Sequence, residues 1–191
     1  SNMNNNKYEF QKEDFIILRN LYLYNNSIYN LVIHIKTFYL FVIKQFDEST
    51  MKREKQFCEY SHSSFTRFYG FQRQNDKITG LIYEYMCNGS LSLFLDNNKT
   101  DEIYSMMTII RLCEGIEYLH SNGLIHRDLK PSNILVDHNY FTYISDFETI
   151  RSTELSDGPF TNDIGSLLYS SPEQDYSKEL KCSTDIYSFG L

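Results

Sequence analysis

One octet constrains this chain more than any other feature: His126-Arg127-Asp128-Leu129-Lys130-Pro131-Ser132-Asn133. A second aspartate, Asp146, follows eighteen residues after Asp128. A carboxylate such as Asp128 can orient a hydroxyl nucleophile and take its proton. Asn133 offers a neutral oxygen, and Asp146 an anionic one, to a hard cation such as magnesium. Lys130 sets a positive charge where a reacting anion needs one balanced. Arg127 can hold a phosphate by a bidentate pair. A polar surface turn after a helix would explain one or two of these letters, but not the ordered set.

The octet resembles the catalytic loop of protein kinases, and the flanking motifs extend the likeness. Ser145-Asp146-Phe147-Glu148 resembles the family's D-F-G, with Glu148 in place of Gly. Gly165-Ser166-Leu167-Leu168-Tyr169-Ser170-Ser171-Pro172-Glu173 resembles the end of an activation segment, with Ser166 for the usual Thr. Thr184 to Gly190 resembles the start of helix F, where Asp185 anchors the catalytic-loop backbone. Upstream, Phe41-Val42-Ile43-Lys44 matches V-A-I-K apart from its Val42. The resemblance implies that Lys44 binds the α- and β-phosphates of ATP and pairs with a glutamate of helix C. Glu54 is the candidate, with Glu48 and Glu59 as competitors. It also implies Tyr83 as gatekeeper, Glu84 to Met86 as hinge with the Met86 N–H facing adenine, and Leu135 beneath the adenine. Asn133 and Asp146 would hold Mg²⁺. Asp128 would be the base and Lys130 the cation beside the transferring phosphoryl group. Lys130 resembles the serine/threonine form of the loop.

The implied fold is α+β and bilobal. Residues 1–13 form a disordered tail or tag remnant, 14–86 an antiparallel N-lobe sheet with helix C and hinge, and 87–191 a mainly helical partial C-lobe cut short at helix F. The likeness would then cover about the first two-thirds of a standard domain. Strands are expected at Phe15–Leu21, Ser27–Ile33, Phe38–Lys44, Phe65–Phe71 and Ile78–Tyr85, with a turn at Asn75-Asp76. Helices are expected at Ser49–Tyr60 and Asp101–Ser121. In the latter, Ile103, Met106, Ile110, Cys113, Ile116 or Glu117, and His120 follow a three–four spacing, whose Met and Ile stripe reads as core.

Composition narrows the partners. Eighteen basic against 25 acidic residues give a net charge of −7, with no basic stripe. That argues against nucleic acid and anionic membrane. The apolar run Ile28 to Ile43 is interrupted by Asn30, His34 and Lys36, so no membrane span is expected. Cys58, Cys87, Cys113 and Cys182 lack zinc-ligand spacing and read as reduced, mostly buried thiols of a cytoplasmic protein.

One departure from the family is sharp. Its phosphate loop needs glycines whose bare N–H groups close over the nucleotide. Here the matching letters are Tyr22, Tyr24 and Ser27, and no Gly precedes Gly70. Tyr29 stands where a Val is usual, so the nucleotide pocket reads as crowded. Glu148 adds negative charge and restricts the dihedrals that Gly would leave free. The expected function is therefore a protein serine/threonine kinase of weak activity, using ATP and Mg²⁺ on a protein substrate. The alternatives are a pseudokinase scaffold and a non-functional fragment. Ser152, Thr153, Ser156 and Thr161 are candidate phosphorylation sites opposite Arg127.

Overall fold

The computed structural model describes residues 9–24, 27–58, 60–153, 168–172 and 181–191. Glu59, Ser156, Thr161, Ser166, Glu173 and the side chain of Tyr24 lie outside the described residues. The chain is α+β and forms two compact units. The first comprises residues 1–61 and 66–85, and the second residues 62–65 and 86–191.

The first unit is built on a six-stranded sheet. Its strands are β1 (Glu9–Gln11), β2 (Phe15–Tyr24), β3 (Ser27–His34), β4 (Leu40–Gln45), β5 (Phe68–Gln74) and β6 (Lys77–Glu84), in the spatial order β1-β5-β6-β4-β3-β2. Five strands pair antiparallel, as the alternating sequence implies. The sheet is nonetheless mixed, because β1 pairs parallel with β5. Residues 9–13 are thus structured, not part of a disordered tail. Arg73 fixes β1 with a 2.6 Å ion pair to Glu9. Asn75 and Asp76, at φ 50° and 62°, make the tight β5–β6 turn, a left-handed pair that suits short polar side chains. One sheet face buries Phe15, Val32, Ile43 and Ile82, with Phe10, Phe41 and Tyr69 against them.

An amide row crosses this sheet. Asn20 donates to Asn30 at 3.2 Å, Asn30 to Gln45 at 3.2 Å, and Gln45 to Gln72 at 3.3 Å, while Thr79 donates to Gln72 at 3.2 Å. Gln45 of β4 reaches Gln72 of β5 over the intervening β6 because Gly80, opposite Gln72, has no side chain. A Cβ at Gly80 would stand 2.6 Å from Ile43 Cγ2 and 3.4 Å from Gln45 Cγ.

Helix α1 (Glu48–Lys55) follows β4 and is shorter than the Ser49–Tyr60 expectation. Asp47 caps it, accepting the N–H groups of Ser49 and Thr50 at 2.9 and 3.0 Å. Its only buried residues are Met51 and Glu54.

Among its described residues, the second unit holds α2 (Leu91–Asn97), α3 (Glu102–Ser121), α4 (Cys182–Gly190) and four short strands, β7 (Leu124–Ile125), β8 (Ile134–Val136), β9 (Thr142–Ile144) and β10 (Arg151–Ser152). Asp101 caps α3 by accepting the Tyr104 N–H at 2.8 Å. Gly123, at φ +68°, ends it with the left-handed residue that helix C-termini favour. The buried face of α3 is Leu112, Gly115, Ile116 and Leu119. Ile103, Met106 and Ile110 are exposed, contrary to the core stripe inferred from spacing. Apolar residues fall on more than one face of this helix, so periodicity alone does not select the packed one. Gly115 selects it, since an added Cβ would come within 2.8 Å of Ile144 and 3.2 Å of Phe65. The cysteines are free, but only Cys58 is buried, and Cys87 and Cys113 are exposed.

Candidate active site

In the first unit, strand pairing sets Lys44 opposite Tyr29 on one side and Leu81 on the other. Its ammonium lies 2.8 Å from Glu54 Oε2, and both side chains are buried. Glu48 instead meets Lys52 at the surface at 3.3 Å. The Glu54 carboxylate has a further partner: Tyr83 donates its hydroxyl to Oε1 at 2.6 Å. Burial, with the Glu54 charge beside it, raises the Tyr83 phenol well above its ordinary range. Burial also pushes the Cys58 thiol, 3.7 Å from the Tyr83 hydroxyl, up to about 12, which leaves it unreactive.

Aromatic rings surround the lysine. Its Nζ lies 5.3 Å from the Tyr29 ring centre and 5.1 Å from that of Phe46, within cation–π range. Tyr22 stacks on Tyr29 at 4.1 Å. Two tyrosines thus occupy the strand pair that would carry a glycine-rich phosphate loop. Glu84 closes β6 opposite Phe41.

In the second unit, the octet follows β7. The Asp128 carboxylate accepts from Lys130 Nζ at 2.8 Å and from Asn133 Nδ2 at 2.8 Å, both on Oδ2. Asn133 also gives Nδ2 to the Asp128 carbonyl at 2.8 Å. Its amide nitrogen is therefore turned to Asp128, and Oδ1 meets no donor among the described residues. Buried His126 bonds the Ser145 carbonyl at 2.9 Å through Nε2, so it packs the loop against the residue before Asp146. Ser145 returns its hydroxyl to the Asn133 carbonyl at 2.8 Å. Asp146 itself has φ 66° and ψ 66°, a left-handed backbone rare for a non-glycine residue. Glu148 is absent from the positive-φ positions, so this conformation makes no demand for Gly there. Phe147 is buried, with its ring 5.5 Å from Phe65.

Leu135 sits half-buried in β8, opposite Tyr143. Met86 is buried and its carbonyl accepts the Gly89 N–H at 3.1 Å, while its own N–H has no acceptor among the described residues. Asp185 accepts the backbone N–H of Arg127 at 2.8 Å and of His126 at 2.9 Å. Of the hydroxyls on the following segment, Ser152 lies in β10 and Thr153 bonds its N–H to the Gly123 carbonyl at 2.8 Å.

Three polar partners escaped the motif reading. The resemblance gives Tyr83 only the gatekeeper's place, whereas strand pairing sets it opposite Val42, on the same side as Lys44. His120 Nε2 lies 2.9 Å from Asp185. Asp137 braces the β8–β9 turn by accepting the N–H groups of Asn139 and Phe141, each at 2.9 Å.

The donor set fits magnesium in chemistry: a carboxamide oxygen left available at Asn133, and a carboxylate at Asp146. Among the described residues, no helix is long and apolar enough to cross a membrane.

Residues 22–191 match the protein kinase domain. A probable LIM domain-containing serine/threonine-protein kinase of Dictyostelium discoideum is 32% identical over 80% of this chain, which covers 23% of that protein. A leaf rust 10 disease-resistance locus receptor-like protein kinase-like protein of Arabidopsis thaliana is 30% identical over 78% of the chain and 24% of its own length. Serine/threonine-protein kinase SSK22 of Saccharomyces cerevisiae is 36% identical over 58% of the chain and 9% of its own length. The chain thus spans about a quarter or less of the curated relatives it matches. With nearly all of its length accounted for by one domain type, this chain belongs to the protein kinase family.

Proposed function

We propose that the chain transfers the γ-phosphoryl group of ATP to a serine or threonine hydroxyl of a protein. The observation that carries this reading is the Asp128 carboxylate, held by Lys130 and Asn133 at 2.8 Å each. In the proposed step the substrate hydroxyl loses its proton to Asp128 as its oxygen bonds to the γ-phosphorus, and the bond to the ADP oxygen breaks. Lys130 balances charge on the phosphoryl oxygens, and Lys44, oriented by Glu54, holds the α- and β-phosphates. Asn133 and Asp146 would hold Mg²⁺, which supplies charge neutralisation of the triphosphate when bound. Met86 and Leu135 would meet the adenine. Use of ATP and four free thiols support a cytoplasmic setting.

The stacked Tyr22 and Tyr29 support weak turnover, and with it a second reading as a kinase-shaped binding module. Radiolabel transfer from [γ-³²P]ATP to a mixed peptide substrate tests the first reading, with Asp128→Asn as control. Transfer that survives this substitution overturns the assignment of Asp128. A thermal shift with Mg–ATP but no transfer by the wild type favours the binding module.

A further inference from the structure

Glu54 is a carboxylate only 1% exposed, and each of its oxygens has a different donor. Lys44 takes Oε2 at 2.8 Å and Tyr83 takes Oε1 at 2.6 Å. The helix carrying Glu54 has eight residues. Helices this short are marginal alone, since nucleation is costly and few backbone bonds form. Of its side chains only Met51 and Glu54 are buried, so little apolar surface holds α1 to the sheet. Past its C-terminus, Cys58 sits 3.4 Å from the Glu54 carbonyl and 3.7 Å from the Tyr83 hydroxyl. The Tyr83 ring is itself fixed edge-on against Phe68 at 5.6 Å, on the neighbouring strand. The hydroxyl is thus delivered by the rigid sheet, whereas the carboxylate is delivered by a short helix.

We propose that Tyr83 is a positioning residue that holds Glu54, and through it Lys44, in the geometry for binding phosphate. A carboxylate with one partner can rotate about its last torsion and let the lysine drift. One with two partners on opposite oxygens cannot rotate without breaking a buried hydrogen bond. A burial site of low dielectric makes that loss expensive. The lysine–glutamate pair is therefore set from inside this unit, in a chain whose phosphate loop lacks the glycines that would otherwise shape the site. The catalytic part of this inference rests on the kinase reading; the part about Glu54 and Lys44 does not.

The test uses the 191-residue chain and Tyr83→Phe, which removes the hydroxyl and keeps the ring. Tyr83→Met serves as a second hydroxyl-free variant. Three readouts are taken. Amide exchange across Glu48–Lys55 should speed up on the order of tenfold, the loss expected for one hydrogen bond to a charged group. Acylation of Lys44 by an amine-reactive ester should also rise relative to surface lysines. In transfer assays kcat should fall several-fold with the peptide KM unchanged. The decisive arm is a cycle with Glu54→Gln, in which Tyr83→Phe should change Lys44 acylation less than twofold. Equal effects of Tyr83→Phe in both backgrounds would make Tyr83 an ordinary core residue and overturn the proposal. So would unchanged exchange and acylation, or failure of both Tyr83 variants to unfold cooperatively. If the wild type neither binds Mg–ATP nor transfers phosphate, the kinase reading fails, while exchange and acylation still decide the role of Tyr83.

Discussion

Asp185 reaches across 58 residues of sequence to accept the backbone N–H of Arg127 at 2.8 Å. Arg127 has φ 74°, a left-handed backbone that costs a non-glycine residue on the order of 1–3 kcal/mol. The second Asp185 oxygen takes the His126 N–H at 2.9 Å, so one buried carboxylate fixes two consecutive peptides of the octet.

Asp185→Ala should therefore leave two N–H groups without an acceptor and lower stability by about 2–5 kcal/mol. Asp185→Asn keeps one acceptor oxygen and should lose less. Urea unfolding of the two variants measures the difference. A loss below about 1 kcal/mol for the alanine would show that the loop holds its own shape.

Lys44 and Glu54 form a buried ion pair, so removing one partner is worse than removing both. Lys44→Ala should destabilise by about 3–5 kcal/mol, because it strands a buried charge. Lys44→Met combined with Glu54→Leu should recover a large part of that loss and, on the proposed kinase function, abolish nucleotide binding. Denaturant midpoints and an ATP titration read the two effects separately.

Gly80 leaves the space over which Gln45 meets Gln72. Gly80→Ala pushes a methyl to 2.6 Å from Ile43 Cγ2, and Ile43 is buried at the centre of the sheet. Overpacking of this kind costs about 1–3 kcal/mol. The thermal midpoint should fall, and amide exchange in Leu40–Gln45 should accelerate most.

The cap of α1 carries a pH dependence of definite sign. Hydrogen bonds from the Ser49 and Thr50 side chains hold the Asp47 carboxyl far below its ordinary 3.8. A depressed carboxyl stabilises the fold fully above its unfolded value and loses that contribution as pH falls from about 4 toward the folded value. Amide protection in Glu48–Lys55 should drop in that window in the wild type. In Asp47→Ala it should be low throughout and nearly flat with pH.

The parts of the chain legible in sequence are those where chemistry demands fixed letters. The octet, Lys44 and Asp146 each need one residue type at one spacing, and that pattern carries the family and the α+β fold. Strand alternation likewise located β2 to β6 within a few residues, and Asn75-Asp76 gave the turn. What stayed hidden depends on tertiary contact. The packed face of α3 is chosen by Gly115, a residue with no hydropathy signal of its own. Strand β1 has three residues, too few for alternation to register. The second partner of Glu54 comes from a strand 29 residues away. No local pattern links a tyrosine and a glutamate at that distance, although alternation does put Tyr83 on the Lys44 side. Cysteine burial is a tendency of the residue type, whereas Cys87 sits in an exposed turn and Cys113 on the exposed side of α3.

The amide row across the sheet has a mechanical consequence. Asn30, Gln45 and Gln72 align only when β3, β4, β6 and β5 keep their observed offsets. A slip of β3 or β4 by one residue would turn its own amide to the opposite face and bring Leu31 or Lys44 into the row. The next offset that restores facing is two residues away, a jump of about 6.6 Å along a strand. The sheet therefore works as a toothed rack with coarse teeth. Lys44 on β4 and Tyr83 on β6 cannot creep past one another by fractions of an ångström. They stay in mesh, or the whole rack disengages.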